Sequence, residues 1–70
     1  MVEMHTTRSS LLSSYGYDEA KSELIITFLK GGTYRYQEVP KEVFQAMENA
    51  ESIGKYFLAN VKNNYSFEKE

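Results

Sequence analysis

The stretch ELIITFLKGGTYRYQ, residues 23–37, constrains this chain more than any other. Its first half is dense in β-branched and aromatic side chains, with Leu24, Ile26 and Phe28 alternating against Ile25, Thr27 and Leu29. A segment apolar on both faces suits a central strand, here Glu23–Lys30. Gly31-Gly32 follows, and because glycine takes positive φ without steric cost, the pair predicts a two-residue hairpin of the primed type. Thr33–Gln37 then returns as a strand, with Tyr34 and Tyr36 on one face and Thr33, Arg35 and Gln37 on the other. The two tyrosines are either exposed to stack on a partner or buried to fill a small core.

A hairpin alone is not stable, so its neighbours matter. Upstream, Leu11–Tyr17 alternates Leu11, Ser13, Tyr15 and Tyr17 against Leu12, Ser14 and Gly16, which predicts a strand. Gly16 inside it marks a bulge or a close backbone approach, and Asp18–Ser22 reads as a turn. Downstream, Pro40 suits the first position of a helix and Glu42 its first turn, so a helix is expected over 40–50 with Val43, Phe44, Met47 and Ala50 inward. Ser52 caps a second helix whose stripe Ile53, Tyr56, Phe57, Asn60 and Val61 ends near Asn63-Asn64. Tyr65 and Phe67 are expected to fold back onto the body. The result is an α+β fold: a three-stranded antiparallel meander followed by two helices packed on one sheet face, β-β-β-α-α. It forms one domain over residues 9–67, between a flexible N-terminus, 1–8, and a flexible C-terminus, 68–70.

Seventy residues bury a smaller share of their surface than larger domains do, and this chain has no cysteine and one histidine for a disulfide or metal staple. Packing or self-association must hold it together. Its start carries Glu3 and no sustained apolar stretch, and its longest hydrophobic run, LIITFL, is far short of a membrane span, so a cytoplasmic protein is expected.

Enzyme chemistry is poorly provided for. His5 lies in the expected loose leader, so a triad with Ser9 or Ser10 and Asp18 has a base that nothing holds. Glu3 and His5 supply two metal ligands where a closed site needs four, so no metal or other cofactor is expected. Gly31-Gly32 lacks the Gly-Lys-Ser/Thr ending of a phosphate loop and sits between strands. Glu42, Glu48 and Glu51 read as solvated acids on or just after the first helix.

The net charge of −2 and pI near 5.4 give no global attraction to nucleic acid or to an anionic membrane. The distribution of charge is more informative: residues 52–67 contain Lys55 and Lys62 and no acid, and residues 29–37 contain Lys30 and Arg35 and no acid. These cations lie among Tyr34, Tyr36, Tyr56 and Tyr65. Aromatic rings interleaved with cations are the ingredients of a single-strand nucleic-acid platform, while in a chain without tryptophan the same rings serve equally as core. At least one of Tyr34 and Tyr36 is expected to be mostly buried against Phe44, Met47, Tyr56 and Phe57.

Ser9-Ser10 with Leu12, Gly16-Tyr17-Asp18, the central Tyr34-Arg35-Tyr36, Val39-Pro40, and Gly54-Lys55-Tyr56-Phe57 with Val61 form an ordered series that resembles the KTSC domain. That family is named for its place at the C-terminus of some lysyl-tRNA synthetases, occurs alone in bacterial and phage proteins, and carries a Tyr-x-Tyr motif matching Tyr34 and Tyr36. The resemblance spans residues 8–67 and implies RNA as a partner. Two readings stand. One is a non-catalytic RNA-binding module using Lys30, Tyr34, Arg35, Tyr36, Lys55 and Lys62, although alternation points Arg35 away from the tyrosines. The other is a protein-interaction or self-association module acting through an exposed sheet edge.

Overall fold

Strand pairing in the computed structural model, which describes residues 2–70, starts from the expected hairpin and extends beyond it on both sides. Of the leader expected to be flexible, Met1 lies outside the described residues. The strands β1 (Met4–Thr6), β2 (Leu12–Asp18), β3 (Glu23–Phe28), β4 (Thr33–Tyr36) and β5 (Phe67–Lys69) make one antiparallel sheet in the order β1-β2-β3-β4-β5. Helices α1 (Lys41–Glu48) and α2 (Ile53–Asn60) lie between β4 and β5 in sequence. The α+β class and both helices stand, but the strand count is five and not three. The extra strands come from the two ends expected to be loose, and they are found through the partner they pair with, since three residues are too few for a periodic signal.

The β3–β4 connection also differs from expectation. Gly31 N–H donates to the Phe28 carbonyl at 3.0 Å and Phe28 N–H to the Gly32 carbonyl at 3.1 Å. This encloses a three-residue loop, Leu29-Lys30-Gly31, with Gly31 at φ 101°, the arrangement of a turn followed by a glycine bulge rather than a two-residue primed turn.

A β-bulge sits in β2, where Leu12 faces Phe28 and Ser14 faces Thr27, leaving Ser13 as the extra residue. The bulge reverses the facing upstream of it: Leu12 is buried on the same side as Tyr15, where strict alternation puts it on the opposite side. Gly16 marks the second of its two expected roles, a close approach. A Cβ there would come 2.6 Å from Met4 Sδ and 2.8 Å from the Glu3 carbonyl oxygen.

The helices cover the face bearing Tyr15, Leu24, Ile26 and Tyr36, and with Val39, Met47, Phe57 and Val61 these make the core. Pro40 occupies the position before α1 with extended backbone, one residue outside the expected start. Ser52 caps α2 as expected, its Oγ accepting from Lys55 N–H at 3.3 Å. At the other end of that helix, the Asn64 side-chain amide donates to the Asn60 carbonyl at 2.7 Å, satisfying a terminal acceptor. The Tyr17 hydroxyl donates to the Val39 carbonyl at 2.6 Å and ties the strand to the entry of α1. No helix among the described residues is long and apolar enough to cross a membrane.

Candidate nucleic-acid interface

The register of β3, β4 and β5 decides where each tyrosine of the Tyr-Arg-Tyr segment goes. Leu24 faces Tyr36 and Ile26 faces Tyr34, so both tyrosines share the helix side of the sheet. Their depths differ. Tyr36 is 3% exposed and meets the Phe57 ring edge-on at 5.3 Å, under the middle of α2. Burial, and secondarily the neighbouring Tyr34, raises its phenol above the ordinary value. Tyr34 lies one turn of the pleat nearer the hairpin, is partly buried, and leans on Phe28 at 5.2 Å and Phe67 at 5.3 Å. The expectation that at least one is core is met by Tyr36.

Beyond the reach of α2, this side of the sheet opens into a cleft of about 450 Å³. Its aromatic walls are Phe28, Tyr34, Tyr36 and Phe67, with Leu11 closing one end. Lys30 from the hairpin and Lys62 from the residues after α2 also line it, together with the uncharged polar residues Ser10 and Asn63. Lys69 Nζ stands 5.9 Å from the Tyr34 ring centre, adding a third cation at the edge. No carboxylate lines the cleft among the described residues. The Ser9–Leu11 segment is held against α2 because Gly54 has no side chain: a Cβ there would come 2.6 Å from Ser9 Oγ. Ser9 Oγ itself accepts from Leu11 N–H at 3.0 Å.

Four of the six residues assigned from sequence therefore converge here, Lys30, Tyr34, Tyr36 and Lys62. Arg35 does not join them. It faces Ile25 on the opposite side of the sheet, where it bonds Glu23 at 3.1 Å and pairs with Glu70. Those two carboxylates, Glu70 first, raise the guanidinium pKa. Lys55 also stands apart, on the exposed side of α2, lining a separate hollow with Glu51 and Tyr56. Phe28, Phe67 and Asn63 were not singled out as site residues from sequence. Phe28 and Tyr34 share one face of neighbouring strands. The two-residue hairpin expected from Gly31-Gly32 pairs Tyr34 with Leu29 and puts Phe28 on the face of Arg35, so the three-residue loop with its glycine bulge is what brings the two rings together.

His5, on β1, lines a different hollow with Asp18, Glu19 and Lys41, its ring 5.4 Å from that of Tyr15. Lys41 pairs with Glu19, whose carboxylate raises the ammonium pKa. Among the described residues no group of three or more histidine, cysteine or acidic side chains is placed to hold a metal ion.

A planar ring can stack within such a cleft while its anionic attachment meets the lysines at the rim. Fold and cleft together define a small α+β module with a five-stranded antiparallel sheet covered on one face by two helices. The chain belongs to the KTSC domain family, whose sequence model matches residues 8–65. The crystal structure of a KTSC domain protein from Yersinia pestis superposes with a TM-score of 0.96 at 31% identity, covering 100% of this chain and 99% of that one. Among curated sequences, a protein of Tsukamurella paurometabola is 42% identical over 59 residues, 84% of this chain and 88% of the relative. An uncharacterised protein of Stutzerimonas stutzeri is 46% identical over 50 residues, 71% and 70% of the two chains. A lysine–tRNA ligase of Nostoc punctiforme is 32% identical over 60 residues, which is 86% of this chain but 11% of the ligase.

Proposed function

We propose that this protein is a non-catalytic, cytoplasmic module that binds single-stranded RNA in the cleft between the β3–β4 hairpin, β5 and the end of α2. The observation that carries the reading is the convergence of Lys30 and Lys62 on the exposed parts of Tyr34 and Phe67, with no acid in the lining among the described residues. Stacking contributes about 1–3 kcal/mol per base in such platforms, and rim lysines add a salt-dependent term. The acids lie elsewhere: Glu23 and Glu70 engage Arg35 on the opposite face, and Glu48 accepts from the Tyr15 hydroxyl. A net charge of −2 is thus compatible with a local cationic rim. The similarity to part of a lysine–tRNA ligase supports RNA as the polymer by association alone.

The test is an amide NMR titration of labelled protein with mixed-sequence single-stranded RNA at low and physiological salt. Shifts centred on residues 30–36 and 62–69, weakening with salt, are expected. A flat spectrum at low salt refutes the reading.

A second reading, strand addition by a protein partner, draws on β5. Ser66 and Glu70 bond β4, so alternation turns the backbone groups of Phe67 and Lys69 outward, and all three β5 residues are exposed. Chemical shift changes confined to the outward amides of β5 on raising protein concentration would favour self-association through this edge.

A further inference from the structure

Resting on the RNA reading, we infer that the cleft takes one unpaired adenine and that Asn63 reads its edge. Most of the lining is apolar or aromatic, and only Ser10 and Asn63 provide uncharged polar side chains other than the tyrosine hydroxyls. The Asn63 side chain, in the exposed segment after α2, makes no hydrogen bond to another described residue, unlike its neighbour Asn64, whose amide is committed to the Asn60 carbonyl. An asparagine amide offers one donor and one acceptor side by side. Adenine presents the matching acceptor and donor, N7 or N1 with the N6 amino group, and asparagine meets it in two parallel bonds.

Desolvation favours adenine over its competitors. Guanine, cytosine and uracil each carry a ring carbonyl that loses water on entering an aromatic cleft and needs a further donor there. Adenine carries none. Its two fused rings also offer a larger face than a pyrimidine to Tyr34 and Phe67, whose rings lie 5.3 Å apart in a tilted pair. The lysines contribute elsewhere: Lys30 and Lys62 supply charge to the flanking phosphates, which carry no sequence information.

The experiment is fluorescence anisotropy with six-nucleotide oligo(A), oligo(C) and oligo(U) at low salt, on the native chain and on Asn63→Ala and Asn63→Gln. The native chain is expected to bind oligo(A) at least fivefold tighter than either pyrimidine oligomer. Asn63→Ala should bring the three affinities within about twofold of one another with the salt slope unchanged, and Asn63→Gln should restore part of the preference. Equal binding of all three oligomers by the native chain, or a preference unaltered in Asn63→Ala, overturns the base-reading role and leaves the RNA reading standing. No binding to any oligomer overturns both.

Discussion

Tyr36→Ala and Tyr34→Ala should separate a core residue from a cleft residue only two positions away. Removing a buried aromatic side chain costs about 3–5 kcal/mol, and Tyr36 has the full burial and the edge-on Phe57 contact that place it in that range. A 70-residue domain has about 3.5–10 kcal/mol of stability at the usual share per residue, so Tyr36→Ala removes a third of it or all of it. Tyr34 is partly buried, and losing about half of a full aromatic burial costs about 1–2 kcal/mol. Tyr36→Phe serves as the control: it keeps the buried ring and its edge-on contact with Phe57 and removes only the hydroxyl, so this change should stay within about 1 kcal/mol of the native chain. Urea unfolding followed by circular dichroism reads all three, and with a slope of about 1 kcal/mol per molar urea Tyr36→Ala should lower the midpoint by about 3 M or leave no folded baseline. Tyr34→Ala should lower it by about 1–2 M, with a correspondingly intact spectrum. Equal losses for the two alanine variants, or a larger loss for Tyr34→Ala, would falsify the depth assignment on which the cleft rests.

Gly16→Ala should release β1, because its Cβ meets the Glu3 backbone and Met4 sulfur; faster amide exchange at Met4–Thr6 with core protection retained is the expected result, and unchanged exchange counts against the close approach. Alkaline pH should destabilise the fold: burial, aided by Glu48, raises the Tyr15 phenol, and burial raises that of Tyr36, so both bind protons in the folded state above their ordinary pKa of 10.0. Their contribution is fully present below that pH and is lost as pH rises through the higher folded values, so the urea midpoint should fall above pH 10 and fall less in Tyr36→Phe. Lys30→Ala combined with Lys62→Ala should lower the slope of log affinity against log salt by about 1.4 for single-stranded RNA, whereas Arg35→Ala should leave it unchanged. A slope change in Arg35→Ala alone would move the binding surface to the other face of the sheet.

Local pattern made the centre of this fold legible. The alternation in residues 24–28 and 33–37 gives the faces of β3 and β4, and the Ser52 cap gives the start of α2, because each depends on neighbours in sequence. The edge strands escaped for the opposite reason: Met4–Thr6 and Phe67–Lys69 are strands by virtue of the backbone groups that β2 and β4 offer them. The bulge at Ser13 has neither glycine nor proline to announce it, so strict alternation puts Leu12 on the face opposite the one it occupies. Charge composition groups Lys30 and Lys62, which line the cleft, with Arg35 and Lys55, which do not, since composition carries no direction. Alternation supplied that direction for Arg35. The unequal depths of Tyr34 and Tyr36 depend on how far α2 extends over the sheet, which no spacing within β4 encodes.

The order β1-β2-β3-β4-β5 puts the two ends of the chain on opposite margins of the sheet. Tension applied between those ends pulls each marginal strand away from its neighbour and opens its ladder one bond at a time, in place of shearing all the bonds together. Mechanical load would therefore strip β1 and β5 first and leave β2, β3, β4 and the two helices together. Because Phe67 belongs to β5, a tug on the C-terminal end dismantles one wall of the aromatic cleft while the packing around Phe57 still holds.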